Sequence, residues 1–293
     1  MRVAPLLPRL IRAEWLKMTR QRWVTGALLW VWPVGGAVLC VVIGLAALIS
    51  PVTRQSIQQA PFRWVDVALG AWILPLNLFG RLLIIGYASR QFAGEYQWKT
   101  WKHSVPYAAR LQLLAAKYLV LSALILLAFF ALSVVLVIGA GLVNAAAGAG
   151  YPPAPSGPQI AQFLGNYAME VTVTFVGVLI GAAFGALAAM LTRSIMGGII
   201  GGLVFVLAEL GFLTAVTTIG LLYGIPQIAD MARFTSSHNI ANISSWAIYG
   251  QPTPPLVAGA RVNSPAESFF VLALWLVGLI GASAALFTRQ DLE

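Results

Sequence analysis

Glu209 stands in the run "VLAELGFL", inside an apolar stretch covering 195–222. A carboxylate left unpaired in hydrocarbon is costly, so it must be neutral, paired or facing water. Two readings follow: it lines a substrate route or joins a proton relay, or it makes a structural ion pair or hydrogen bond between helices. No second acid lies near it in sequence, which weakens a relay. Asn77 and Arg81, in the stretch 65–87, are the other polar candidates for a pathway, and each could instead satisfy helix packing. Arg81 is expected to extend to the inner surface. Asp66 and Glu170, near the outer ends of their stretches, are expected to stay wet.

A second group lies in "FAGEYQWKTWKH", residues 92–103. Read as a helix, it puts Trp98 and Trp101 on an apolar face continued by Val105, with Glu95, Lys99 and Lys102 on a neighbouring charged face. Tryptophan suits the headgroup boundary, and the charged face suits a protein. The segment is therefore either an interfacial anchor or a docking helix that also touches lipid.

Other chemistry is missing. "GEYQWKT", 94–100, has a Lys-Thr pair but Trp98 where a phosphate loop needs glycine, and "IMGGIIGG", 195–202, lacks the strand context of a nucleotide site. His103 and His238 fall on opposite predicted sides of the membrane, and there is no HExxH, Cys/His group or GxSxG elbow. The single cysteine, Cys40, permits no intrachain disulfide and packs as a small hydrophobe. The Asn242-Ile243-Ser244 sequon is incidental.

The elements that must position these residues follow from composition. In 293 residues, 59% are hydrophobic and 9% charged, too few ionisable groups to cover a soluble surface. Six stretches, 24–49, 65–87, 118–143, 171–190, 195–222 and 269–287, can each cross about 30 Å of hydrocarbon as helices. Pro33 and Pro75 predict bends in the first two. Residues 1–23 carry six basic groups and one acid around an apolar stripe, and read as an interfacial helix retained in the mature chain rather than a signal peptide. Residues 24–293 form the six-span domain, with a connection at 88–117 and an external segment at 223–268 expected to hold short surface helices. The Gly-, Ala- and Pro-rich connection 144–169 predicts irregular chain. Glycines 177, 181 and 185 with Ala189 form a row for close helix packing, either within the chain or between subunits.

Thirteen Lys or Arg fall on the side of the termini and the 88–117 connection, against four, Arg54, Arg63, Arg233 and Arg261, on the other. This asymmetry predicts cytoplasmic termini. It also accounts for the net charge of +9 without any nucleic-acid partner.

The pattern resembles the membrane subunit of a bacterial ABC-2 type exporter across nearly the whole chain. The features are a basic amino-terminal helix with "AEWLK", six spans, the charged connection, the long segment before the sixth span and the tail "ALFTRQDLE". The family pattern of a glutamate helix, a Gly-Thr pair, a proline, an arginine and a lysine matches Glu95, Thr100, Pro106, Arg110 and Lys117, with Lys99 where the glycine belongs. The resemblance implies an all-α integral membrane fold with an interfacial helix, a cytoplasmic coupling helix and short external helices before the sixth span. It implies a multi-pass permease of the bacterial inner membrane, paired with a second copy or a related permease and with two separate ATPases. Those ATPases would bind ATP and Mg2+, and this chain would hold no cofactor. Glu14, Lys17, Glu95, Trp98, Lys99, Trp101, Lys102, His103, Pro106 and Arg110 would form the ATPase-coupling region. The cargo would be apolar or amphipathic, such as a drug, antimicrobial peptide or lipid-like molecule. The other classes are a proton- or ion-coupled carrier centred on Glu209 and a non-transport membrane assembly factor.

Overall fold

The computed structural model describes residues 6–99, 101, 108–150, 156–255 and 257–290. These residues are helical almost throughout. Helix α1 (Leu6–Arg20) is followed by α2 (Arg22–Ile49), α3 (Pro51–Gln59), α4 (Trp64–Gly70) and α5 (Leu78–Gln97). Then come α6 (Arg110–Ala147), α7 (Gly157–Thr192), α8 (Ile195–Tyr223), α9 (Pro226–Ala229), α10 (Ser236–Tyr249) and α11 (Pro265–Arg289).

Among the described residues five helices, α2, α6, α7, α8 and α11, are long and apolar enough to cross a membrane, six if the bent pair Trp64–Leu76 with Leu78–Gln97 is counted as one span. The chain is thus an all-α multi-span membrane protein. The expected bend at Pro75 is present: the two halves of that pair meet at 61°. Proline removes a helix hydrogen bond there, and Asn77 restarts the helix by accepting from the Gly80 N–H at 2.7 Å. Gly80 is required by the fold-over, because a Cβ on it would lie 2.5 Å from the Leu74 carbonyl oxygen. Pro33 causes no such break. A π-turn at Gly26–Trp30 precedes it and α2 runs on through it, an irregularity of the kind that absorbs a lost helical bond.

Helix α7 is the centre of the bundle, with 72% of its most apolar window buried against 17% for α2 and for α11. Its small residues allow this. A Cβ at Gly177 would strike Ile240 and one at Gly185 would press on Ile85, so the glycine row packs within the chain. Gly198 and Gly202 of α8 meet Ser89 and Ile85 of the same α5 surface.

Two expectations are corrected here. Residues 157–169 are helical, as the first turns of α7, because a Ser156–Gln159 capping box starts the helix. Phe163 and Tyr167 then pack edge-on against Trp64 and Trp72. This longer α7 also buries Glu170, 4% exposed, which was expected to stay wet; Asp66 is exposed, 3.7 Å from Arg63.

After α8 the chain folds back along it through α9 and a 3-10 turn, Asp230–Phe234. Gly220 lies against Ala229, and Ser236 arrives beside Glu209, near the middle of α8. Helix α10 then packs on α7 and α11. Asn242 is fully buried, donating to the Asn263 carbonyl at 2.7 Å, so the sequon is closed to modification.

Candidate functional site

Polar groups collect at two levels of the bundle. At the end where α1, α5, α6 and α11 converge, Lys117 is 1% exposed and reaches Glu14 Oε2 at 2.9 Å and Glu95 Oε1 at 2.8 Å. Lys17 also pairs with Glu95. Two ammoniums thus face two carboxylates, and the Lys117 Nζ lies 5.8 Å from the Phe92 ring and 5.4 Å from that of Trp101. Buried charges persist only with such partners. The cluster joins three helices: α1 through Glu14 and Lys17, α5 through Glu95, and α6 through Lys117.

The expected docking face is corrected by this geometry. Glu95 is 3% exposed and points into the protein. Helix α5 stops at Gln97, and Lys99 takes a left-handed φ of 53°. Glu95 and Lys99 therefore do not share a helical face. The tryptophans separate too: Trp98 is exposed with the Arg90 guanidinium 3.7 Å over its ring, while Trp101 is buried with its ring 4.5 Å from that of Phe287. Lys102, His103 and Pro106 lie outside the described residues.

Arg110, at the start of α6, grips the end of α11. Its Nη1 lies 3.1 Å from the carbonyl oxygens of Phe287 and Thr288 and 2.7 Å from that of Gln290. A cation at the carbonyl end of a helix is favoured by the helix dipole. Gln290 itself accepts from the Tyr96 hydroxyl at 2.6 Å and donates to the Met190 carbonyl at 3.1 Å. Four elements thus meet at this residue, which sequence reading missed because its partners are distant in the chain.

Midway along α8, Glu209 is bound on both oxygens. Ser236 Oγ and the Ser237 N–H donate to Oε1 at 2.6 and 2.9 Å; Arg81 Nη1 and Ser237 Oγ donate to Oε2 at 3.1 and 2.8 Å. Arg81 also reaches Ser237 Oγ at 2.9 Å. It therefore turns to Glu209 instead of the inner surface, because a partner within reach relieves the cost of both charges. Of the two readings of Glu209, this geometry is that of the structural pair. It locks α5, α8 and the fold-back segment together. Asn77 Oδ1 caps the start of α5, and the residue is exposed. Ser236 and Ser237 carried no signal in sequence, being two of many serines in a polar segment.

Among the described residues, no group of His, Cys, Asp or Glu could hold a metal ion. No curated protein matches the chain. The family model described as ABC-2 family transporter protein matches residues 10–209. The match takes in the ionic cluster, the broken second span and Glu209, while the fold-back segment and α11 lie beyond it. With more than half of its length matched and a multi-span helical bundle to carry the match, the chain belongs to the ABC-2 family of membrane transporter proteins.

Proposed function

We propose that the chain is the membrane-spanning permease subunit of an ATP-driven exporter, carrying an apolar or amphipathic molecule out of the cytoplasm or inner leaflet of a bacterial membrane. Its termini and the 88–117 connection face the cytoplasm, where two ATPase subunits dock, and a second copy or related permease completes the pathway. The observation that carries this reading is the buried cluster of Glu14, Lys17, Glu95 and Lys117. It binds the amino-terminal helix to both helices flanking the connection, so a push on that connection moves α1, α5 and α6 as one body. Lys99, exposed at the turn, is the candidate contact for the ATPase. Glu95 is the residue that transmits the movement inward. A carrier working by protonation of Glu209 has less support, since both oxygens of that carboxylate are engaged.

Purified with its partner ATPase in proteoliposomes, the complex should hydrolyse ATP faster when cargo is added. Lys99→Glu is expected to weaken ATPase association. Glu95→Gln should leave the ATPase bound yet lower the stimulated rate, by roughly tenfold, within the usual range of coupling energies. Normal association and stimulation in both variants would reject the coupling assignment. Transport in vesicles without any ATPase, driven by a proton gradient, would instead establish the carrier.

A further inference from the structure

At the end of the bundle away from the termini, a cavity of about 90 Å³ lies between α8, the fold-back segment and residues 253–262. Pro254, Pro255 and Val262 form an apolar wall, Arg233 and Arg261 a basic one, and His238 adds an imidazole that burial holds toward its neutral form. Among the described residues, Arg233 Nε and His238 Nε2 are buried and have no hydrogen-bond partner. Buried polar nitrogens are almost always partnered, by protein, water or ligand. Both residues line this one cavity, and the Arg233 guanidinium also lies 4.8 Å over the Phe234 ring. The volume is that of about three waters at ~30 Å³ each, or of a single tetrahedral oxyanion.

The nearby acids do not fill this role. Glu267 lies 3.6 Å from Arg261 on the exposed rim and accepts from the Ser264 N–H, and Asp230 accepts from the Arg261 backbone N–H. Neither is hydrogen-bonded to Arg233 or His238.

We propose that this cavity binds a phosphate group, through Arg233 and His238 within and Arg261 at the rim. Guanidinium groups favour phosphate because their planar donors match its oxygens. Depth and surroundings point to a phospholipid as the source. Thr217, which lines the cavity, is about 33 Å along α8 from Ile195 at the rise of a helix, close to the ~30 Å of hydrocarbon, so the outer end of the cavity would sit at headgroup level. Met231 and Phe234 flank Arg233 and are exposed, offering an apolar surface to acyl chains.

The test uses the full chain, stripped of lipid in detergent, with thermal unfolding followed against inorganic phosphate and, separately, against short-chain phosphatidylglycerol at matched ionic strength. The wild-type chain should be stabilised by the phospholipid in a saturable manner. Arg233→Gln and His238→Ala should each weaken the apparent affinity by about fivefold or more, a modest fraction of a binding energy. Arg54→Gln, which removes another outer arginine far from the cavity, should not. Saturation by inorganic phosphate alone, lost in the same variants, would keep the site and make free phosphate its ligand. Should Arg233→Gln fail to fold, Arg261→Gln at the exposed rim decides by the same criterion. Absence of saturable stabilisation by either compound, or equal weakening in Arg54→Gln, would overturn the proposal and leave the cavity to water.

Discussion

Lys99 is held in a conformation that suits another residue. At a φ of 53° its Cβ crowds the following carbonyl oxygen, which for a non-glycine residue costs roughly 1–2 kcal/mol. The resembled pattern has glycine here, and the turn after α5 supplies the reason. Lys99→Gly should therefore raise the unfolding temperature of the purified chain, by about 1 kcal/mol of stability, whereas Lys99→Ala, which removes the same charge, should not. Equal unfolding temperatures for the two variants would show that the conformation carries no strain. The comparison also separates geometry from docking, because both variants lose the ammonium that the proposed ATPase contact requires.

At the scale of elements, the break between α4 and α5 aims Arg81. The helix restarts at Asn77, and Arg81 follows one turn later, on the side of Glu209. Gly80→Ala would press a methyl group onto backbone, and overpacking of this kind typically costs about 1–3 kcal/mol. The expected outcome is a folded but less stable permease with impaired transport; unchanged thermal stability would show that the bend relaxes freely. The five long apolar helices and the Pro75 bend of the stretch 65–87 were legible in the sequence because apolar length and a missing N–H are local properties. The ends of helices were less so. The Ser156 cap and the packing of Phe163 on Trp64 extend α7 outward, and α5 ends without the glycine that normally announces a left-handed turn. Pairing was not legible at all: periodicity assigns Glu95 a face but does not say that Lys117, 22 residues on, will meet it, nor that Arg81 will meet Glu209 across 128 residues.

Across the whole molecule, the ion pair and the ionic cluster act on shared helices. Helix α5 carries Glu95 near one end and Arg81 near the other, so one helix ties the ionic cluster to the fold-back segment that Glu209 holds. Helix α11 runs beside this link: Arg110 grips its C-terminal end, and the Trp275 indole donates to the Phe234 carbonyl at 2.9 Å. Glu209→Gln should leave Arg81 unbalanced and slow transport at every pH, and Arg81→Gln added to it should restore part of the loss. A coupling energy of about 0.5–3 kcal/mol in the double-mutant cycle is the expected reading. Strict additivity, or a pH profile flattened only in Glu209→Gln, would favour an independent proton-carrying role.

Arg110 also sets an order of events. Its carbonyl partners are 177 to 180 residues further along the chain, and at ribosomal rates of about 5–20 residues per second they emerge roughly 10–40 s after it. Until α11 is in place, this arginine has none of these carbonyls to hold, and Trp101 lacks the Phe287 ring against it. Arg110 therefore ties a helix made early to one made late, so this end of α6 cannot close until α11 has been made.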